Sequence, residues 1–229
     1  MEELVSSAHG AAGQRENGSK FYNKDFWRQE NLKYAKPHFR LEKAARIVNS
    51  LSGGRPVDLL DVGCGPGTLG TLLAQNVRYH GIDIALTAPA PNLLEADLMT
   101  SPIKFADMRF GLVVAQGFFE YAGECQDQKF AEVHDLLTDD GTFLVSYVNF
   151  GHRDPEVYWP YSNVRPLRDF RDSLARSFTI RRWFPTAHNW NHSEPNRPIL
   201  RMMQMPLSIN IPVISPALGV EYFFLCTRK

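Results

Sequence analysis

Hydrophobic positions change period along the chain, and the changes mark out its elements. Residues 1–20 are polar with no apolar period and are expected to form a flexible arm. Aromatic residues follow at Phe21, Tyr22, Phe26, Trp27 and Tyr34, and then Leu41, Ala44, Ala45, Val48 and Leu51 recur at helical spacing up to Gly53-Gly54. This predicts an N-terminal helical layer over 21–54. The pattern then becomes a continuous apolar run from Val57 to Val62, broken only by Asp58 and Asp61, as suits a strand covered on both faces. After it come a helix holding Leu69, Leu72 and Leu73, a strand over Tyr79–Ile84, a short strand near Asn92–Ala96 and another over Phe110–Ala115. A helix with Phe130, Val133 and Leu137 on one face, stopping at Gly141, leads into a strand over Thr142–Val148. Leu167, Phe170 and Leu174 mark a further helix, Phe178–Phe184 a strand, and Val220–Thr227 a last strand. The order predicts an α/β fold with helices on both faces of a mainly parallel sheet.

Two segments break this rhythm. Between Ile84 and Asn92 the chain reads ALTAPAP, whose prolines leave no room for an ordinary crossover helix. Residues 186–218 are too long for a normal connection and carry Trp190, Met202, Met203, Met205, Leu207, Ile209 and Ile211, too apolar for a solvated loop. They are expected to form a cap insertion over a substrate pocket, and a dimer interface would use the same residue types.

Composition narrows the function. The 229 residues, 44% hydrophobic and 12% aromatic, can bury a full core, so residues 21–229 read as a single domain. Lys plus Arg and Asp plus Glu number 25 each, leaving no basic field for a polyanion, so nucleic acid is not an expected partner. No apolar run approaches the roughly 18 to 20 residues that cross a bilayer. The start is acidic and polar, unlike a signal peptide, so a cytoplasmic protein without a membrane partner is expected. Cys64, Cys125 and Cys226 are odd in number and far apart, which encodes neither a disulfide framework nor a zinc site.

The strongest chemical signal is LLDVGCGPGTLG at 59–70, where a strand runs into Gly63, Gly65 and Gly67. Glycines at alternate positions let the backbone turn sharply and present N–H groups to a ligand. Gly65-x-Gly67-x-x-Gly70 is also the dinucleotide fingerprint of nicotinamide-dependent oxidoreductases. Asp61 opposes that reading, because a carboxylate there would repel a pyrophosphate and attract an amino-acid ammonium.

Asp61-Val-Gly63-Cys-Gly65-Pro-Gly67 resembles the first motif of the class I S-adenosylmethionine (SAM) dependent methyltransferases. The resemblance implies a Rossmann-like seven-stranded sheet, six strands parallel and the last antiparallel, with SAM as cofactor and a methyl acceptor as substrate. It implies that Asp83, in YHGIDIA, binds the ribose hydroxyls beside Ile84, and that Asp97 and the Leu98 amide meet the adenine. A fourth motif, Gln116-Gly-Phe-Phe-Glu120-Tyr121, falls where cofactor and substrate meet. Asp61, Gly63, Cys64, Gly65 and Gln116 are thus expected at the cofactor, with Tyr22 and Trp27 closing over the sulfonium by cation–π contact. A non-catalytic SAM-binding subunit and N- or C-methylation remain open.

An alcohol acceptor needs a proton acceptor, and His152, after the fifth strand, is the candidate base or orienter. Tyr121, Asn149, Tyr158, His188 and Trp190 are expected around the substrate, a bulky small molecule methylated on oxygen. His188 and His192 have metal-ligand spacing, but the surrounding prolines oppose a helix, so no metal site is expected. His80 reads as a packing residue, and His134 as a solvated one on the helix of Phe130. The arginines from Arg165 to Arg182 read as a solvated helix face, or, more sharply, as a site for an anionic substrate. Nothing in the sequence separates a monomer from a homodimer.

Overall fold

A computed structural model describes residues 24–149, 165–188 and 219–229, with the backbone alone for 186–188 and 220. The seven strands are β1 Val57–Val62, β2 Val77–Asp83, β3 Leu93–Glu95, β4 Phe110–Ala115, β5 Leu137–Val148, β6 Phe178–His188 and β7 Gly219–Arg228. They form one sheet in the order β3-β2-β1-β4-β5-β7-β6. β1 to β5 pair in parallel, and β7 lies antiparallel between β5 and β6, so six strands share a direction and the last opposes them. The strand order reverses direction at β1, whose neighbours are β2 and β4. Such a switch point opens a crevice at the carboxyl ends of the strands.

Alternation along the central strands fills both faces. Leu59, Leu112, Val114, Leu144 and Phe223 face one side, where Ala44, Ala45 and Val48 of α2 (Phe39–Ser52) cover them. Leu60, Val62, Val113, Phe143, Val145 and Phe224 face the other, under α3 (Gln126–Leu136) and α4 (Leu167–Ser177). Phe119, Phe130 and Phe170 interlock there, and Tyr147 stacks on Phe170 with centroids 3.8 Å apart. Each fully buried aromatic contributes on the order of 2 kcal/mol from area alone. α2 ends on Gly53 at φ 56°, the left-handed cap that its Gly-Gly pair predicted.

Three elements differ from the sequence expectation. The residues after the glycine turn form only a 3-10 helix, Thr68–Leu72. The chain there passes directly over β2, and a Cβ on Gly70 would lie 2.7 Å from the Tyr79 ring, so no full helix fits the gap before Val77. β5 begins at Leu137 rather than Thr142. Gly141 is not a helix stop but part of an irregular pairing with β4, where a Cβ would lie 2.9 Å from the Thr138 carbonyl. β6 continues to His188, so residues 186–188 of the expected cap are strand, and residues 189–218 lie outside the described set. The crossover between β2 and β3 has no helix, as its prolines predicted. The N-terminal layer consists of α1 (Lys24–Leu32) and α2, and residues 1–23 lie outside the described set.

Candidate active site

At the switch point the described residues enclose a cavity of about 420 Å³. One wall is the turn after β1. Gly63, Gly65 and Gly67 all have positive φ (74°, 55° and 76°), a conformation L side chains rarely adopt. A Cβ on Gly63 would also meet Phe118 at 3.1 Å. The turn is fastened by the Gly63 N–H donating to the Ile82 carbonyl at 2.8 Å and the Gly65 N–H donating to Asp83 Oδ2 at 2.8 Å.

Asp83, at the end of β2, is the polar hub of this end. Its Oδ1 accepts from the Ala85 N–H at 2.9 Å and from Asn31 Nδ2 at 3.1 Å. Burial pushes its carboxyl up, and these three donors pull it back. Ile84, Asp97, Leu98 and Met99 continue the wall, with Asp97 Oδ1 accepting from the Met99 N–H at 2.9 Å. Asp61 is not among the lining residues. It is buried beneath the turn, where Tyr79 donates its hydroxyl to Oδ2 at 2.8 Å, and burial lifts its carboxyl to about 7 despite that bond.

The far wall comes from β4, β5, β7 and α2. Gln116 follows β4 with both amide atoms buried and unpartnered. Glu120 is 4% exposed. Its Oε1 accepts from the Val148 N–H at 3.0 Å, and its Oε2 has no partner. Burial, reinforced by the Glu221 charge, raises its carboxyl to about 7. Glu221, at the start of β7, accepts from the Arg40 guanidinium at 2.5 Å, and Arg40 Nε is buried without a partner. Burial, with Arg40 nearby, lowers His38 to about 4 and keeps it neutral. Trp27 of α1 meets Tyr121 edge-on, centroids 5.0 Å apart, and closes the top.

The structure therefore gathers Trp27, Gly63, Cys64, Gly65, Asp83, Ile84, Asp97, Leu98, Gln116 and Tyr121 around one cavity. Asn149 lies outside its lining and donates to the Gly219 carbonyl at 3.1 Å, joining the ends of β5 and β7. Tyr22, His152, Tyr158 and Trp190 lie outside the described residues, as does the side chain of His188, whose backbone pairs with Gly219. His80 packs edge-on to Phe105 and Phe110 as expected. His134 is less solvated than its helix position suggested, its ring resting 5.8 Å from that of Phe178. Of the arginines, Arg165 and Arg176 pair with Asp127, Arg168 and Arg171 with Asp172, and Arg181 donates to Thr227. Among the described residues no cluster of His, Cys, Asp and Glu could hold a metal, the three cysteines are free thiols, and no helix is long and apolar enough to cross a membrane.

Sequence reasoning missed Asn31, His38, Arg40 and Glu221, and gave Glu120 no role of its own. Glu221 left a visible signal, a lone acid in the apolar run of the last strand. Arg40 and Asn31 left none, since polar residues on N-terminal helices are ordinary.

The profile of a methyltransferase domain family matches residues 37–192, most of the chain. The chain belongs to that family. It is a class I SAM-dependent methyltransferase, and a cavity lined by a positive-φ glycine turn, buried carboxylates and the unpartnered Gln116 amide has polar groups to offer such a cofactor. Solved structures share the fold. The CcbJ methyltransferase of Streptomyces caelestis superposes with a TM-score of 0.61 at 14% identity, covering 90% of this chain and 99% of that one. NodS, an N-methyltransferase of Bradyrhizobium japonicum solved with S-adenosylhomocysteine (SAH), gives 0.57 at 13% identity over 90% and 99%. A TehB-like SAM-dependent methyltransferase of Corynebacterium glutamicum gives 0.56 at 16% identity over 90% and 95%. No curated protein matches the sequence.

Proposed function

We propose that this methyltransferase acts on a small molecule and methylates a hydroxyl oxygen. The observation that carries this reading is Glu120, a carboxyl that lines the cavity and whose buried Oε2 has no partner. Bound SAM supplies a methyl group on a sulfonium, which passes to a nucleophile by in-line displacement. A hydroxyl is a poor nucleophile until its proton is taken up, and a carboxyl held near 7 is matched to that task at neutral pH. The Val148 N–H holds Oε1 and leaves Oε2 free of a partner. With SAM bound, Glu120 would take up the proton of the acceptor hydroxyl as that oxygen becomes the nucleophile.

The other roles belong to the same proposal. Asp83 takes the ribose, Asp97 and Leu98 the adenine, and Trp27 with Tyr22 covers the sulfonium. Asp61 supports the turn from below. His152, in the segment after β5, orients the acceptor hydroxyl or shares its proton, with Tyr121, Asn149, Tyr158, His188 and Trp190 nearby. Residues 189–218 cap the acceptor, and the protein acts as a monomer or homodimer in the cytoplasm without nucleic acid or membrane.

One observation favours a second reading, an amine acceptor. The described lining carries Asp83, Asp97, Glu120 and Glu221 against a single guanidinium, Arg40, and such a surface welcomes a cation. SAH release from SAM, measured over a panel of phenols, aliphatic alcohols and amines, separates the two. Turnover of hydroxyl compounds that falls about a hundredfold in Glu120→Gln supports the first. Turnover of amines alone replaces it with the second.

A further inference from the structure

Asp83 is short of acceptor capacity for the ligand assigned to it. A carboxylate offers about four lone-pair sites. The N–H groups of Gly65 and Ala85 and the amide of Asn31 occupy three of them, leaving about one, on Oδ2. A ribose diol brings two donors. The missing acceptor is beside it. Asn31, on α1, is 4% exposed and lines the cavity. Its Nδ2 donates both to Asp83 Oδ1 at 3.1 Å and to the Ala85 carbonyl at 2.8 Å. Both partners are acceptors, so the amide can present only its nitrogen to them, and Oδ1 must face the other way. There it lies against the glycine turn, 3.4 Å from where a Cβ on Gly65 would stand. Among the described residues nothing donates to it.

We infer that Asn31 is a ribose-binding residue: its Oδ1 accepts one hydroxyl of the cofactor while Asp83 Oδ2 accepts the other. The inference rests on the reading of Asp83 as the ribose acid. It also gives α1 a purpose. Among the described residues its contacts with the rest of the fold include this amide, the Lys24–Glu95 ion pair and the Trp27–Tyr121 contact. A cofactor held by Asn31 would fasten it further.

Calorimetry with SAH tests this without any acceptor. Asn31→Ala and the volume-keeping Asn31→Leu should each bind SAH about five- to tenfold more weakly than wild type, as loss of one neutral hydrogen bond implies. The 2′-deoxy and 3′-deoxy analogues of SAH give the second readout. For the analogue lacking the hydroxyl that Asn31 receives, wild type and variants should bind alike, and for the other analogue the gap should persist. Variants that bind SAH as well as wild type, or better, overturn the inference, the latter because the amide would then be an obstacle. An equal gap for both analogues also overturns it, since Asn31 would then act through structure alone. Asp83→Ala separates the two levels: unchanged SAH affinity there defeats the ribose reading itself, whereas weakened affinity there with none in the Asn31 variants defeats only the role of Asn31.

Discussion

Replacing Glu120 by Gln should stabilise the cofactor-free protein at pH 8 and leave it nearly unchanged at pH 4, below the unfolded value. Folding moves this carboxyl from the ordinary 4.5 to about 7, because burial penalises its charge and Glu221 repels it, while the Val148 N–H and Arg40 compensate only in part. An acid that holds its proton more tightly when folded contributes fully below the unfolded value, and the contribution is lost as pH rises through the folded one. The window therefore runs from about 4.5 to about 7. At about 1.4 kcal/mol for each tenfold in proton affinity, the loss across it is roughly 3 kcal/mol. Gln has the same shape, keeps an oxygen for the Val148 N–H and never ionises, so it escapes that loss. For a domain of this size roughly 3 kcal/mol corresponds to about 6 to 12 °C in Tm. Thermal denaturation followed by circular dichroism at both pH values is the assay. Asp61 is shifted in the same direction, so wild type loses further stability over the same interval, and comparison with the variant at each pH removes that common part. A Gln variant less stable than wild type at pH 8 would refute the reasoning, because attraction to Arg40 would then outweigh burial.

Gly65→Val should abolish SAH binding, since residue 65 sits at φ 55° and a side chain there would enter the cavity toward Asn31; calorimetry showing wild-type affinity would contradict this. His152→Ala should lower turnover with SAH affinity intact, and full turnover removes the proposed role. Replacing 189–218 by a short Gly-Ser turn should keep SAH binding and eliminate acceptor turnover; a shortened protein that methylates as before but changes from dimer to monomer in light scattering would make the segment an interface.

Much of the fold was legible because the deciding interactions are local. Val57–Val62 and Phe110–Ala115 are apolar runs bounded by turn residues, and both strands have those bounds. The proline pair after Ile84 removed a helix by chemistry that needs no tertiary context. The helix expected around Leu69, Leu72 and Leu73 failed for the opposite reason. Its period was real, and Leu69 is buried, but Gly70 lies against Tyr79 of a strand that the sequence does not show to be adjacent. Gly141 likewise resembles a helix stop until its pairing with β4 is known.

The site divided along the same line. Gly63, Gly65 and Asp83 announce themselves by spacing, because turn geometry and strand ends are local features. Arg40 and Glu221 are 181 positions apart and acquire meaning only when α2 is laid over the start of β7. Asn31 is an unremarkable helix residue until α1 brings it to Asp83.

Titration of the wild-type protein and of Asp83→Ala with SAH in a calorimeter tests cofactor binding in this cavity most directly. A buried carboxylate hydrogen-bonded to a hydroxyl contributes roughly 1.5 to 3 kcal/mol. Wild type should bind one SAH in the micromolar range, and Asp83→Ala should bind it at least about tenfold more weakly. No heat of binding from wild type, or equal affinity in the two proteins, would contradict that placement.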